Sequence, residues 1–171
     1  MSVIKYRADI DGLRALAILP VLFYHLGFTV FSGGFVGVDV FFVISGYLIT
    51  SIIVREMQSG QFSMAAFWWR RARRILPAMT VMVVATLVAG WFLLAPHDYE
   101  ELGRSVRYQA VFAANIFFLR QSGYFAPEAE LQPLLHMWSL AIEEQFYIVY
   151  PPLLLLISRL AGRRWLMVLL P

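Results

Sequence analysis

The sequence of 171 residues contains no cysteine and little charge, and both absences restrict what the chain can be. Without cysteine, disulfides and thiol chemistry are excluded. Only 15% of the residues are charged and 60% are hydrophobic, with a mean hydropathy of +0.69. These values lie well outside the balance of a soluble domain and indicate an integral membrane protein. The first residues also lack the early apolar core of a cleavable signal peptide, so we expect an uncleaved signal-anchor.

Four apolar segments are long enough to cross a bilayer, which takes about 20 residues. They cover residues 13–31, 36–54, 75–95 and 138–157. The apolar piece at 111–119 is too short to span, so it is predicted to be an interfacial or re-entrant helix, and the chain ends in what resembles the start of a fifth segment. The sequence therefore predicts an all-α polytopic transmembrane helix bundle of about four complete spans.

The connections between these segments have their own patterns. Residues 55–74 are predicted to be a loop, with Pro77 in the first turn of the third span, where proline is tolerated. Residues 120–133 are predicted to form an ordered loop. In the second span, the small residues Ser45 and Gly46 are expected to let a neighbouring helix approach closely.

Basic residues are concentrated at the N-terminus, in residues 55–74 and in residues 159–164. Such segments stay in the cytoplasm, which is consistent with four spans only if 111–119 does not cross. We therefore expect a multi-pass protein of the bacterial inner membrane with a cytoplasmic N-terminus, and with residues 97–135 on the outer side.

The first span carries two ionisable residues, Arg14 near one end and His25 well inside. Eleven helical residues make about three turns, so both side chains lie on one face, roughly 16 Å apart along the axis. Ionisable groups within a span tend to face a protein interior or a wet cavity, which suggests a lined site. Alternatively, Arg14 extends to the cytoplasmic edge and His25 is simply bonded to a neighbouring helix.

Four arginines follow three aromatic residues in the run FWWRRARR. The arginines are Arg70, Arg71, Arg73 and Arg74. The run is typical of a juxtamembrane anchor, with arginines at lipid phosphates and tryptophans at the interface. It also suits a surface that binds a phosphorylated ligand, because guanidinium groups match phosphate bidentately. Composition alone favours the anchor, and the apolar flanks argue against nucleic acid as a partner.

Further ionisable residues fall in the outer half of the predicted bundle. They are His25, Asp39, His136, Glu143 and Glu144. A histidine with a nearby carboxylate can act as a general base. The same carboxylates could instead bind a coupling cation or relay protons. We assign no metal site.

Four motifs occur in order along the chain: DGLRALAILPVLFYH, GGFVGVDVFFVISGYLIT, FWWRRARRILPA and LLHMWSLAIEEQFYIVYP. Together they resemble the N-terminal portion of the membrane acyltransferase-3 family, which includes O-antigen and peptidoglycan O-acetyltransferases. The resemblance covers residues 6–152. It implies a membrane O-acyltransferase that transfers an acyl group, usually acetyl from acetyl-CoA, to a hydroxyl of a cell-envelope glycan such as lipopolysaccharide O-antigen or peptidoglycan.

The resemblance also implies roles for particular residues. It places catalytic roles on Arg14, His25 and Glu143. His25 would deprotonate the attacking hydroxyl or handle the acyl group midway, and Glu143 would orient or charge the histidine or bind the acceptor. The paired arginines that contact the acyl donor fall on Arg71 and Arg74 or on Arg70 and Arg73, and the register is open. The implied partners are membrane lipid, an envelope glycan and acyl-CoA as a substrate, with no permanently bound cofactor.

Members of this family have more spans than the sequence shows, often with an SGNH-type hydrolase-like domain after them. We therefore expect residues 1–171 to be the N-terminal part of an incomplete membrane acyltransferase domain. Two other interpretations are a transporter or flippase component, with a His/Glu/Arg relay for protons or anions, and an inactive truncated remnant.

Overall fold

The computed structural model describes residues 8–121 and 132–160, which form helices and no strand. The six α-helices are α1 (Ala8–His25), α2 (Gly37–Gln58), α3 (Met64–Leu93), α4 (Pro96–Ala110), α5 (Ala114–Gln121) and α6 (Met137–Leu160), with 3₁₀ turns at Thr29–Phe31 and Gly34–Val36. The predicted all-α class is confirmed. The chain divides into two compact units after Phe62, α1 and α2 in the first and α3 to α6 in the second. Each unit is described by itself.

Three of the described helices are long and apolar enough to cross a membrane. They are α2 with the turn before it (Gly34–Gln58), α3 and α6. Helix α1 is not among them, because its 18 residues include Asp9, Asp11 and Arg14. The predicted count of four spans is therefore not confirmed. The apolar segment after residue 160 lies outside the described residues.

Helix α1 ends earlier than predicted, and a glycine is the reason. Gly27 has a φ of +79°, a left-handed conformation that stops helices. The Phe28 N–H then donates to the Phe23 carbonyl at 3.1 Å, and the two rings pack edge to face at 5.5 Å. The prediction of one helical segment over residues 13–31 is wrong, because the helix ends at His25.

Two glycines allow α1 and the start of α2 to touch backbone to backbone. A Cβ atom at Gly34 would lie 2.1 Å from the Pro20 carbonyl oxygen, and one at Gly37 would lie 2.0 Å from that of Ala17. At Gly46, by contrast, an added Cβ meets no atom within 4 Å. The close approach predicted at Ser45 and Gly46 thus occurs instead at Gly34 and Gly37.

Helix α3 begins eleven residues before the predicted span. Ser63 is extended and its side chain accepts a hydrogen bond from the Ala66 N–H, which caps the helix. The predicted loop at 55–74 is therefore wrong except at 59–63, because residues 55–58 belong to α2 and the arginine run belongs to α3. Pro77 lies well inside α3 and not in its first turn.

The region between α3 and α6 contains two helices. Helix α4 has Pro96 in its first turn, where the missing N–H costs nothing. Helix α5 has eight residues and is about 12 Å long, too short to span. The short helix expected near 111–119 is therefore present, and its depth in a membrane stays a prediction. Most of the expected ordered loop, residues 122–131, lies outside the described residues.

Side chains of α4, α5 and α6 share a buried apolar cluster. Its members are Leu102, Ala114, Leu134, Met137 and Ala141. Gln145 ties α5 to α6, donating to the Phe112 carbonyl at 2.7 Å and to the Asn115 side chain at 2.9 Å. Phe112 has a φ of 55°, which is unusual for a residue with a side chain, so the bond from Gln145 supports this turn.

Replacing Gly37 by alanine should weaken the packing of α1 on α2. The new Cβ collides with the Ala17 carbonyl oxygen, and overpacking of this kind costs about 1–3 kcal/mol. Gly46→Ala is the matched control on the same helix, where alanine should raise stability by up to about 1 kcal/mol. Thermal unfolding of the purified chain in detergent measures both. Equal stability of the two variants would contradict the close approach.

Candidate functional site

Arg14 packs against a ring of α2. Its Cζ lies 5.0 Å from the centroid of Phe41, a cation–π contact. The Nε atom is buried and has no hydrogen-bond partner within the described part of the chain. The guanidinium is thus held by the ring, while at least one of its N–H donors is unused.

His25 lies exposed in the last turn of α1, and its Nδ1 is 2.8 Å from the Val21 carbonyl oxygen. A carbonyl oxygen only accepts hydrogen bonds, so Nδ1 carries the hydrogen and the neutral ring keeps its lone pair on Nε2. Among residues 8–121 and 132–160, no hydrogen bond to that Nε2 is formed. The imidazole is therefore oriented to accept a proton through Nε2.

Arg14 and His25 lie on one continuous helix that passes through Pro20. Their separation along the axis is therefore about 16 Å, as expected from the helical rise. His25 differs from expectation in one respect, because it occupies the end of the helix and not its interior. Asp39 lies exposed on α2, two residues beyond the Gly37 crossing. Within the described residues, no hydrogen bond or ion pair joins Asp39 to His25.

The four arginines of α3 have different surroundings. Arg71 is partly buried, and its Cζ lies 5.6 Å from the Phe67 ring centroid and 5.8 Å from that of Tyr147 on α6. The side chains of Arg70, Arg73 and Arg74 are exposed. Of the two possible donor pairs, only Arg71 with Arg74 includes the arginine that contacts α6.

A proline in α6 explains why α3 contacts α6 at Tyr147. Pro151 has no N–H, so the carbonyl of Tyr147, four residues earlier, loses its helical donor. The indole Nε1 of Trp68 donates to that carbonyl oxygen at 2.9 Å. Phe67, which is fully buried, packs edge to face on the Tyr147 ring at 6.3 Å. Phe67 and Trp68 therefore join α3 to α6. The sequence had suggested only a membrane anchor or a ligand-binding surface for this run.

The carboxylates of α6, Glu143 and Glu144, lie within one helical turn of Tyr147, where α6 contacts α3. Glu143 accepts a hydrogen bond from the Tyr147 hydroxyl, four residues later on the helix. Glu144 is only 8% exposed, and its Oε1 has no hydrogen-bond partner within the described ranges. Arg71 lies close enough to both carboxylates to interact with them electrostatically. The partner of Glu143 is thus a tyrosine, whereas the predicted constellation paired carboxylates with histidines.

His136 precedes α6, and its Nε2 lies 3.3 Å from the Met82 sulfur. It belongs to the second unit together with Glu143 and Glu144, whereas His25 and Asp39 belong to the first. The predicted constellation therefore contains residues of both units.

Sequence reasoning missed Phe41, Trp68 and Tyr147 as contacts of the candidate residues. A signal was present for Tyr147, because a proline four residues later in a helix leaves its carbonyl in need of a donor. Nothing in the sequence identified Trp68 as that donor.

The second unit also holds a small cavity of about 80 Å³, whose lining includes acidic and amide side chains and two phenylalanines. Its charged lining residues are Asp98 and Glu101, and the latter accepts a hydrogen bond from Gln121 at 2.7 Å. Acidic walls do not suit phosphates, so the arginines of α3 are the better candidates for an anionic ligand. No group of three or more potential metal ligands occurs within residues 8–121 and 132–160.

Comparison with known families gives a match over nearly the whole sequence. A family model described as an acyltransferase domain matches residues 7–171. The chain therefore belongs to the acyltransferase-3 family, and the resemblance found in its motifs is confirmed. With its apolar helices, this family assignment makes the chain part of a membrane protein.

Several relatives are similar over most of the chain. The peptidoglycan O-acetyltransferase OatA of Listeria monocytogenes is 42% identical over 88% of this chain and 24% of its own length. The putative peptidoglycan O-acetyltransferase YrhL of Bacillus subtilis is 44% identical over 86% of this chain and 23% of its own length. A putative O-acetyltransferase of Staphylococcus aureus (strain MSSA476) is 37% identical, over 94% and 27%. The chain thus spans about a quarter of these curated relatives. No solved structure matches.

Replacing Arg71 by alanine should destabilise the second unit. The change removes two ring contacts and buried side-chain packing, together worth about 1–2 kcal/mol. Arg73→Ala is the matched control, because its exposed side chain should contribute less than about 0.5 kcal/mol. Denaturant unfolding of the purified chain in mixed micelles, followed by tryptophan fluorescence, gives both values. Similar losses for the two arginines would contradict the distinct role of Arg71.

Proposed function

We propose that this chain is part of a cell-envelope O-acetyltransferase. The enzyme transfers an acetyl group from acetyl-CoA to a hydroxyl of an envelope glycan, either peptidoglycan or an O-antigen. Family membership and the names of the relatives support the acyltransferase class. The observation that carries the proposal is the orientation of His25, whose Nδ1 hydrogen bond leaves Nε2 available as a base.

The donor binds through the arginines of α3 in this proposal. Coenzyme A carries phosphates, and guanidinium groups bind phosphate through paired N–H donors. Arg71 supports this role, because ring contacts hold its charge without using its N–H groups. The exposed Arg74, one turn further along α3, supplies the second guanidinium. Arg14 lines the path toward His25.

The proposed chemistry is acyl transfer with His25 as general base. The acceptor oxygen attacks the carbonyl carbon of the thioester while Nε2 takes the hydroxyl proton. The new C–O ester bond forms, the C–S bond breaks, and the thiolate of coenzyme A leaves. The imidazolium then returns its proton to this thiolate, so the products are the O-acetyl glycan and free coenzyme A. Glu143 binds the acceptor or orients its hydroxyl.

The arrangement in the membrane is also a proposal. The basic segments place the N-terminus and the arginine run at the cytoplasmic face of the inner membrane, where acetyl-CoA is available. The segment between α3 and α6 then faces the outer side, together with the glycan acceptor. Any further domain of the SGNH hydrolase type would follow the helices.

Replacing His25 by alanine should abolish acetyl transfer, because a general base contributes about 10²–10⁴-fold to the rate. The assay uses membranes that contain the native protein, radiolabelled acetyl-CoA and measurement of base-labile label in the glycan. The matched control is His97→Ala, an exposed histidine of α4 with no role in the proposed chemistry. Both variants should insert into the membrane in wild-type amounts.

Three results would contradict this proposal. Full transfer by the His25 variant would exclude the base. Equal loss in the His97 variant would show a general effect of removing histidines. Label that crosses the membrane without forming an ester would support a transporter.

The orientation can be tested because the sequence contains no cysteine that would react in the background. Ser59→Cys, before α3, should react with a membrane-impermeant maleimide only after the membrane is opened. Glu100→Cys, on the exposed side of α4, should react in intact spheroplasts. Labelling of both positions from the same side would show that the proposed topology is wrong.

A further inference from the structure

Arg71 and Glu143 have opposite charges, and both contact Tyr147. They do not form an ion pair with each other within residues 8–121 and 132–160. The Nε of Arg71 is buried without a hydrogen-bond partner in the same ranges. An arginine and a carboxylate in a poorly solvated setting ordinarily form a bidentate ion pair. Something therefore keeps these two groups apart.

Tyr147 contacts both groups. Its ring lies 5.8 Å from the Arg71 Cζ, and its hydroxyl donates a hydrogen bond to Glu143. The tyrosine is 5% exposed, and its backbone is fixed by the bond that Trp68 donates to the Tyr147 carbonyl. Its backbone is thus held independently of the two charges, and its side chain is confined by burial.

We propose that Tyr147 is a positioning residue that prevents a direct ion pair between Arg71 and Glu143 and so keeps both groups available to substrates. This inference rests on the proposed function, in which Arg71 binds the donor and Glu143 serves the acceptor. The ring and the hydroxyl have separate roles. The ring holds the guanidinium by its charge, and the hydroxyl occupies a carboxylate oxygen that would otherwise attract Arg71.

This arrangement matters because an ion pair would use the same donors that a phosphate needs. A guanidinium has five N–H donors in one plane, and a bidentate carboxylate takes two of them. A cation–π contact takes none of them. An arginine held by rings is therefore charged and positioned, but its hydrogen-bonding capacity is left for a ligand.

The neighbouring Glu144 requires a control. It is buried, its Oε1 has no partner within the described residues, and it also interacts electrostatically with Arg71. However, it lies one residue from Glu143 on the helix and has no hydrogen bond with Tyr147 in the described structure. The inference therefore assigns the competition for Arg71 to Glu143.

The first test measures the coupling between the two charges without any ligand. Arg71→Met and Glu143→Gln are combined in a double-mutant cycle on the unfolding equilibrium of the chain in mixed micelles. With Tyr147 present, the effects should add to within about threefold in the equilibrium constant. In the Tyr147→Leu background, where the charges can meet, the coupling should reach at least about tenfold. The same cycle with Glu144→Gln should show no such gain.

The second test measures binding of coenzyme A to the purified protein in nanodiscs by calorimetry. Tyr147→Leu should weaken binding at least about tenfold, whereas Tyr147→Phe, which keeps the ring but frees the Glu143 oxygen, should weaken it by an intermediate factor of about threefold. Adding Glu143→Gln to Tyr147→Leu should restore the affinity to within about threefold of the wild type. Phe92→Leu, the same kind of change at an exposed ring of α3, should bind as the wild type does.

The outcomes separate this inference from the proposed function. Rescue by Glu143→Gln supports the inference when the unfolding measurement shows that Tyr147→Leu is folded, because the loss of binding then depends on the Glu143 carboxylate. Additive effects in the Tyr147→Leu cycle, or weakened binding that Glu143→Gln leaves unchanged, would overturn it. If the wild type binds no coenzyme A, the donor assignment fails, and the cycle still decides whether Tyr147 separates the charges. Tyr147→Met, which keeps the bulk without a ring, is judged by the same criteria if the leucine variant does not fold.

Discussion

The need to satisfy every backbone polar group in an apolar medium determines how the second unit is built. Water cannot compensate a free carbonyl inside a bilayer, and Pro151 creates such a carbonyl at Tyr147. The indole of Trp68 compensates it from α3. This bond fixes the level at which α3 meets α6, and therefore which arginine of the run faces the carboxylates. The placement of Arg71 thus follows from a proline eighty residues later in the chain.

The first unit meets a similar demand with different residues. Gly27 ends α1 just after His25 and holds the following residues in a turn. His25 consequently lies at a helix end and is exposed. Its Nδ1 donates a hydrogen bond to the Val21 carbonyl of the same helix. Arg14, three turns earlier, is partly buried and contacts the Phe41 ring. One ionisable residue is thus partly buried and the other exposed, although both belong to one apolar helix.

Much of this organisation could be predicted from the sequence, and the failures have physical causes. Long apolar segments identified α2, α3 and α6 because length and hydropathy are local properties. The start of α3 was missed because Ser63 was not recognised as a helix cap, although serine is a common residue at that position. The contact that distinguishes Arg71 from the other arginines could not be predicted, since it depends on Tyr147, which is distant in the chain. The early end of α1 depends on a positive φ at Gly27, and hydropathy does not report such a conformation.

The glycine crossing in the first unit has a mechanical consequence. At Gly34 and Gly37 no side chain separates the two backbones, and carbonyl oxygens of α1 lie where Cβ atoms would be. If the two segments slid along each other, a carbonyl oxygen of α1 would collide with the Cβ atom of a residue next to the glycine. The contact therefore resists sliding. We therefore expect α1 and α2 to move together and to keep the contact between Arg14 and Phe41. A displacement of α2 would then also displace His25 at the end of α1.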